Sequence, residues 1–194
     1  MLERKVFGLV VLVGIFAGIV GIVFTNLLHV IQHLTFGYSA AEHLSFGVGV
    51  AQASGERRIW ALLACGLVGG IGWVLIHRYG GKLVEVKDAV KDVTKEMPPI
   101  TTLLHSTLQI ITVAMGSPLG REVAPREATS ALITWVMRYV KLTNENRSLL
   151  IACASGAGLA AVYNSPVSAT IFVLETLLLT WNVRALSSAF IACG

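Results

Sequence analysis

The chain has 194 residues, of which 55% are hydrophobic and 13% are charged, and its mean hydropathy is +0.73. An ordinary soluble domain has about 25% charged residues, and disordered chains are rich in charge and poor in apolar residues, so both classes are excluded. The net charge of +4 is modest and scattered, which argues against a nucleic-acid partner. The composition is typical of an integral membrane protein.

Four stretches of the chain are long and free of Asp, Glu, Lys and Arg. A bilayer span needs about 20 apolar residues, so these stretches predict membrane helices, the first long enough to cross at a tilt. A shorter apolar stretch, 128–137, lies between arginines and is typical of a helix that enters the membrane without crossing it. The four long stretches are 6–41, 59–77, 97–120 and 148–174.

Basic residues near the ends of these stretches predict the orientation of the chain. Arg4 and Lys5 precede the first stretch and four basic residues follow the second. We therefore expect a multi-pass protein of the plasma (inner) membrane with a cytoplasmic N-terminus and an external loop at 37–58, although two arginines within that loop favour the opposite orientation. The four residues after the second stretch are Arg78, Lys82, Lys87 and Lys91.

Small and polar residues inside the stretches indicate how the helices pack. Glycines at close spacings in the first two stretches predict close helix–helix approach, because small residues let membrane helices come together. His105, the lone histidine of the third stretch, is expected to hydrogen-bond to a neighbouring helix. The glycines are Gly14, Gly18, Gly21, Gly66, Gly69, Gly70 and Gly72.

Glycine, proline and charge interrupt the apolar sequence in three places. The first interruption predicts a short helix over 84–92. The second predicts a helix that starts near Glu122 with Pro125 in its first turn. The third predicts a helix that opens with Pro166 and is capped by one of the two polar residues before it. The interruptions are 78–85, 116–125 and 161–166.

Interrupted helices at membrane depth are costly unless the freed backbone lines a cavity. A helix N-terminus presents unpaired N–H groups and about half a positive charge, so several such ends would make an anion site without a full charge. Glu122 would compete with an anion for those N–H groups and would act as a gate. The alternative is a set of ordinary surface loops in which Glu122 caps a helix.

Two of the interruptions resemble motifs of a known family. Gly120-Arg121-Glu122 followed by Pro125 looks like the GREGP signature of the voltage-gated chloride channel (CLC) family of channels and proton-coupled antiporters. The segment 157–166, continuing to Glu175, is similar to that family's AGLAAxFNxPLAGxLFxxE stretch. The motifs occur in the family's order and spacing, and the resemblance extends over nearly the whole chain.

The resemblance implies an all-α polytopic membrane fold with tilted and membrane-interrupted helices, which is one half of an inverted-repeat transporter. Family members are homodimers with an anion path in each subunit. Glu122 would be the external gating glutamate, and helix N-termini would hold the anion. The implied anion-binding residues are Gly81, Lys82, Leu83, Val84, Gly120, Arg121, Glu122 and Val123.

Three departures from the family pattern bear on function. Gly81 stands where the family has a serine that touches the central anion, so a hydroxyl donor is lost. Two residues, instead of one, separate the segment Gly120–Arg121–Glu122 from its proline. Thr176 stands where the antiporters have the internal proton acceptor, and threonine cannot take up a proton at physiological pH. Glu175 is expected to be structural or to lie at the cytoplasmic mouth, with a substitute proton site as the alternative.

We therefore predict that residues 1–194 form a single transmembrane domain, the amino-terminal half of a chloride transporter that is channel-like or weakly proton-coupled. We expect the natural chain to continue beyond Gly194. The alternatives are transport of fluoride or another anion, and a non-conducting membrane scaffold or partner subunit. The predicted partners are a small anion such as chloride, the lipid bilayer and a second copy of the chain. Enzymatic activity, a cofactor and a metal site are not expected.

Overall fold

The computed structural model of the chain describes residues 4–38 and 46–194. Within those residues the chain forms helices joined by short loops and has no β-strand, so the predicted all-α class is confirmed. A π-helical segment (Val173–Leu178) continues α8. The helices are α1 (Arg4–Phe36), α2 (Phe46–Gln52), α3 (Gly55–Tyr79), α4 (Val86–Lys91), α5 (Pro99–Ala114), α6 (Val123–Met137), α7 (Asn144–Tyr163), α8 (Pro166–Phe172) and α9 (Val183–Cys193).

Helices α1 and α3 are long enough and apolar enough to cross a membrane, as predicted for the first two uncharged stretches. Their 33 and 25 residues extend about 50 Å and about 38 Å, against a hydrocarbon core of roughly 30 Å. Both expose large apolar side chains, such as Leu34 on α1 and Trp60 on α3. The end of the first predicted stretch and the part of the predicted external loop at 39–45 lie outside the described residues.

The third predicted stretch, 97–120, forms α5, which ends at Ala114 after 16 residues, close to the start of the interruption predicted over 116–125. The N–H groups of Gly116 and Ser117 donate to carbonyls of the last turn at 3.1 and 3.0 Å, which is the hydrogen-bond pattern of a Schellman motif. Gly116 has a φ of 103°, a conformation that glycine adopts without steric cost. The remaining residues of the stretch form the loop that leads into α6.

The fourth predicted stretch, 148–174, is divided where the sequence predicted an interruption. Asn164 has a φ of 49° and ends α7 in the left-handed conformation, and Pro166 opens α8. Ser165 occupies the N-cap position, but its side chain accepts no hydrogen bond from the α8 backbone. Its hydroxyl instead lies 3.0 Å from the Ser168 hydroxyl.

Helix α7 lies at the centre of the described fold and packs against α1, α4, α6, α8 and α9. Residues 149–158 of α7 are all buried. A Cβ at Gly158 would lie 2.5 Å from the Pro125 carbonyl oxygen on α6, so only glycine permits this approach of the two helices. Of the glycines predicted to mediate packing, Gly14, Gly21, Gly69 and Gly72 have a neighbour within 3.3 Å of an added Cβ, whereas Gly18, Gly66 and Gly70 have none within 4 Å among the described residues.

Candidate anion-binding site at the head of α6

The loop between α5 and α6 places Glu122 at the N-cap of α6, as predicted. Pro125 is the third residue of the helix, where its fixed φ favours the first turn and its missing N–H costs no intrahelical hydrogen bond. The side-chain amide of Gln109 on α5 donates to the Gly120 carbonyl at 3.3 Å. This hydrogen bond joins the loop to the preceding helix.

The Glu122 carboxylate is held by a side chain from another helix. Its Oε2 atom accepts a hydrogen bond of 3.2 Å from the hydroxyl of Tyr163, the last residue of α7. The carboxylate also lies over Gly120, where any Cβ would collide with it. Glu122 is half-buried, and 49% of the Tyr163 surface is exposed.

In this position Glu122 makes no side-chain hydrogen bond to the first turn of α6. The N–H groups of that turn have no intrahelical partner, and they lie at the positive end of the helix dipole. The surface-cap alternative for Glu122 is therefore not what the structure shows. Glu122 therefore directly precedes N–H groups that have no intrahelical partner, and such donors bind either a carboxylate or a small anion.

Two arginines flank the carboxylate along the chain. The exposed Arg121 guanidinium lies 5.5 Å from the centroid of the Tyr163 ring. Arg126 is half-buried, and its Nε–H donates to the Ser155 hydroxyl at 3.1 Å. The same guanidinium lies 4.5 Å from the centroid of the Phe172 ring. The α6 head therefore carries positive charge on both sides of Glu122.

The second predicted anion-binding segment, 81–84, has a different environment. It connects α3 to α4, a helix of six residues whose N-cap, Glu85, makes no side-chain cap hydrogen bond. The Gly81 N–H donates to the Thr101 hydroxyl of α5 at 3.0 Å. Among residues 4–38 and 46–194, no side-chain hydrogen bond or ion pair joins this segment to 120–123. Gly81 and Lys82 are exposed, whereas Leu83 and Val84 are half-buried.

A family model described as voltage gated chloride channel matches residues 65–194, which is more than half of the chain. This chain belongs to the voltage-gated chloride channel family. Its relatives include the putative chloride channel protein ClcB-like of Ralstonia nicotianae, which is 29% identical over 60% of this chain and 29% of the relative. The H(+)/Cl(-) exchange transporter ClcA of Vibrio cholerae is 26% identical over 84% of this chain and 35% of the relative.

A third relative is the chloride/fluoride channel protein of Pseudomonas syringae pv. tomato, which is 28% identical over 61% of this chain and 26% of the relative. The chain spans about a third of the length of the curated relatives that it matches. The matched region includes both motifs by which the sequence resembles the chloride channel family.

The predicted internal proton position of this chloride channel family member lies in the π-helical segment. Glu175 and Thr176 are both exposed there, and neither makes a side-chain hydrogen bond or ion pair to the described residues. The segment ends at Leu179, whose φ of 54° is left-handed. No structural feature of this segment assigns a role to either side chain.

The sequence interpretation missed three residues at or near the α6 head. Arg126 and Glu127 are charges that directly follow Pro125 and precede the apolar stretch, and intramembrane charge is a signal for function. Tyr163 adds a hydroxyl where the family stretch has phenylalanine. His105 was expected to hydrogen-bond to a neighbouring helix, and its Nδ1 atom lies 3.1 Å from the Glu127 carboxylate on α6. The interhelical hydrogen bond is therefore confirmed, with Glu127 as its partner.

Proposed function

We propose that this chain is part of a transmembrane anion transporter whose substrate is chloride and whose gate is Glu122. The observation that carries the proposal is the placement of the Glu122 carboxylate beside, and not on, the free N–H groups of α6. In this arrangement an anion binds the N–H groups while Tyr163 holds the carboxylate aside. When the carboxylate turns to the same N–H groups, it excludes the anion and closes the path.

Membership of the chloride channel family supports the substrate, because the relatives are named as chloride channels and an H(+)/Cl(-) exchanger. Thr176 supports channel-like or weakly proton-coupled transport, since its hydroxyl does not ionise near neutral pH. The proposed working form is a homodimer in the plasma (inner) membrane, with a cytoplasmic N-terminus and an anion path in each subunit. It transports ions without chemical conversion of a substrate.

Fluoride is the second candidate substrate. The chain lacks the serine hydroxyl at Gly81, and one relative is named a chloride/fluoride channel. A site with fewer hydroxyl donors has less to distinguish chloride from a smaller anion. Parallel measurements of chloride and fluoride efflux decide between the two substrates.

The test is anion efflux from liposomes that contain the natural full-length protein, with external chloride and pH recorded together. We expect chloride efflux with little proton movement, and we expect Glu122→Ala to change its rate several-fold. Glu145→Ala is the matched control, because Glu145 is an exposed carboxylate that pairs with Arg184 at 3.2 Å.

Equal efflux from wild type and Glu122→Ala would overturn the gate. Opposing proton movement would show that a residue other than Thr176 carries protons. If the wild-type protein transports neither anion, the non-conducting scaffold or partner-subunit alternative replaces transport.

A further inference from the structure

Arg126 places a full positive charge one helical turn beyond Glu122. Residues four apart lie on the same face of a helix, so the guanidinium follows Glu122 along α6. It is half-buried where α6 meets α7 and α8, because it contacts Ser155 of α7 and Phe172 of α8. The proposed function makes no use of this charge.

The charge of Arg126 has no ion-pair partner among the residues that the structure describes. Two carboxylates on its own helix act on it electrostatically, Glu122 and Glu127. Each of them contacts another side chain: Glu122 contacts the Tyr163 hydroxyl at 3.2 Å and Glu127 contacts His105 at 3.1 Å. Neither carboxylate forms an ion pair with the guanidinium, and a half-buried cation without a direct ion-pair partner is costly, so a counter-ion at Arg126 would be favoured.

The guanidinium is also held in one orientation. Its Nε–H donates a hydrogen bond of 3.1 Å to the hydroxyl of Ser155, which is fully buried. The guanidinium Cζ atom lies 4.5 Å from the centroid of the Phe172 ring. The terminal nitrogens, Nη1 and Nη2, make no hydrogen bond to any described residue. A guanidinium has five N–H donors, so four of them remain on a group that is already oriented and needs little reorganisation to bind an anion.

We propose that Nη1 and Nη2 of Arg126 bind the transported anion, a small monovalent inorganic ion, one turn along α6 from the gate. This inference rests on the proposed function and adds a second binding position to its path. A full charge holds an anion more tightly than helix N–H groups do, so the site raises affinity and slows release.

The test is chloride titration of the purified full-length protein by calorimetry, together with the chloride dependence of efflux from liposomes. Arg126→Gln keeps a donor near Ser155 and removes the charge, and we expect a loss of affinity of about tenfold or more. Arg126→Lys keeps the positive charge but removes the paired N–H donors of the guanidinium, and we expect a smaller loss of chloride affinity. Arg138→Gln is the matched control, because Arg138 caps the other end of α6 and pairs with Glu96 at 2.9 Å.

Ser155→Ala provides a second variant that retains the charge and removes only the hydroxyl that orients it. We expect affinity to fall about threefold. If Arg126→Gln does not fold, as judged by size-exclusion chromatography, Ser155→Ala decides: reduced chloride affinity supports the site, and unchanged affinity overturns it.

The two proposals fail in different ways. The Arg126 site alone would be overturned if chloride affinity changed less than twofold in both Arg126→Gln and Ser155→Ala while efflux still depended on Glu122. The gate alone would be overturned if efflux did not depend on Glu122 while chloride affinity still depended on Arg126. The proposed Arg126 site would then stand.

Discussion

Two segments that lead into helices are predicted to bind an anion: residues 120–123 at the start of α6 (the α6 head) and residues 81–84 before α4 (the α4 loop). Their environments differ. At the α6 head, Glu122 is held away from the helix N–H groups by Tyr163. At the α4 loop, the Gly81 N–H is already bound by the Thr101 hydroxyl. Helix α6 has 15 residues, whereas α4 has six, so the aligned dipoles at the α6 head add up over a longer helix. A backbone N–H binds an anion only when it is not already bound, and the Gly81 N–H is bound, which makes the α6 head the stronger candidate.

The largest expected effect comes from the contact that fixes the α6 head against α7. Gly158→Ala would place a Cβ 2.5 Å from the Pro125 carbonyl oxygen, so the backbone of α6 or α7 must move. We expect the free energy of unfolding to fall by about 1–3 kcal/mol. We also expect the Glu122-dependent part of the efflux to fall, because the α6 head is displaced. Thermal unfolding in detergent measures the first effect and liposome efflux the second.

Gly70→Ala is the matched control for this change. Gly70 lies in the interior of α3 and has nothing within 4 Å of an added Cβ. Alanine in a helix interior is about 0.5–1 kcal/mol more favourable than glycine, so unfolding should be unchanged or should move to a higher temperature. Equal destabilisation by both changes would contradict the packing argument.

The next effect isolates the tyrosine at the α6 head. Tyr163→Phe removes only the hydroxyl that holds the Glu122 carboxylate, so the carboxylate is released to compete for the α6 N–H groups. A hydrogen bond to a charged group is worth roughly 1.5 kcal/mol, so efflux at neutral pH should fall by up to about tenfold. Faster efflux at neutral pH would show that Tyr163 holds the closed state instead.

A smaller effect is expected at the α4 loop. Gly81→Ser restores the hydroxyl that the family has at this position, and one added neutral hydrogen bond corresponds to about a two- to tenfold gain. We expect the ratio of chloride to fluoride efflux to rise by that factor. Gly81→Ala is the control, because it adds the same Cβ, 3.3 Å from Pro98, without the hydroxyl. If the ratio of chloride to fluoride efflux rose equally in both variants, the added Cβ and not the hydroxyl would be the cause.

The smallest effect tests whether the Gly81 N–H binds the anion at all. Thr101→Val keeps the side-chain shape and removes the acceptor of the Gly81 N–H. If the α6 head is the main site, efflux should change by less than about twofold, the size of a weak hydrogen-bond effect. A larger increase would show that Thr101 blocks a donor that the anion uses, and the two helix heads would then contribute alike.

Local sequence predicted the features that local sequence controls. The absence of charge over more than 20 residues predicted α1, and Pro125 predicted that α6 starts near Glu122. The α5 helix ends at Ala114, close to the interruption predicted over 116–125, but the sequence did not predict that Gly116 would end it in a left-handed conformation. The hydropathy of the following residues does not report that conformation.

The contacts at the candidate site required the three-dimensional structure. Glu122 and Tyr163 are 41 residues apart in the chain, and Arg126 and Ser155 are 29 apart. Such pairs depend on how closely α6 and α7 approach each other. That distance is set by small residues such as Gly158 on α7, which the loop between the two helices separates from α6 in the sequence. The sequence predicted Glu122 as a candidate gate and left its partner, Tyr163, unassigned.

The π-helical segment after α8 affects the angular position of the side chains within it. Successive residues of an α-helix are about 100° apart around the axis, whereas the i→i+5 hydrogen bonds of a π-helix widen each turn. Residues 173–178 are wound in this wider form, so Glu175 and Thr176 face directions that an α-helical continuation of α8 would not give them. Helical phase, together with residue identity, therefore determines the directions in which these two exposed side chains point.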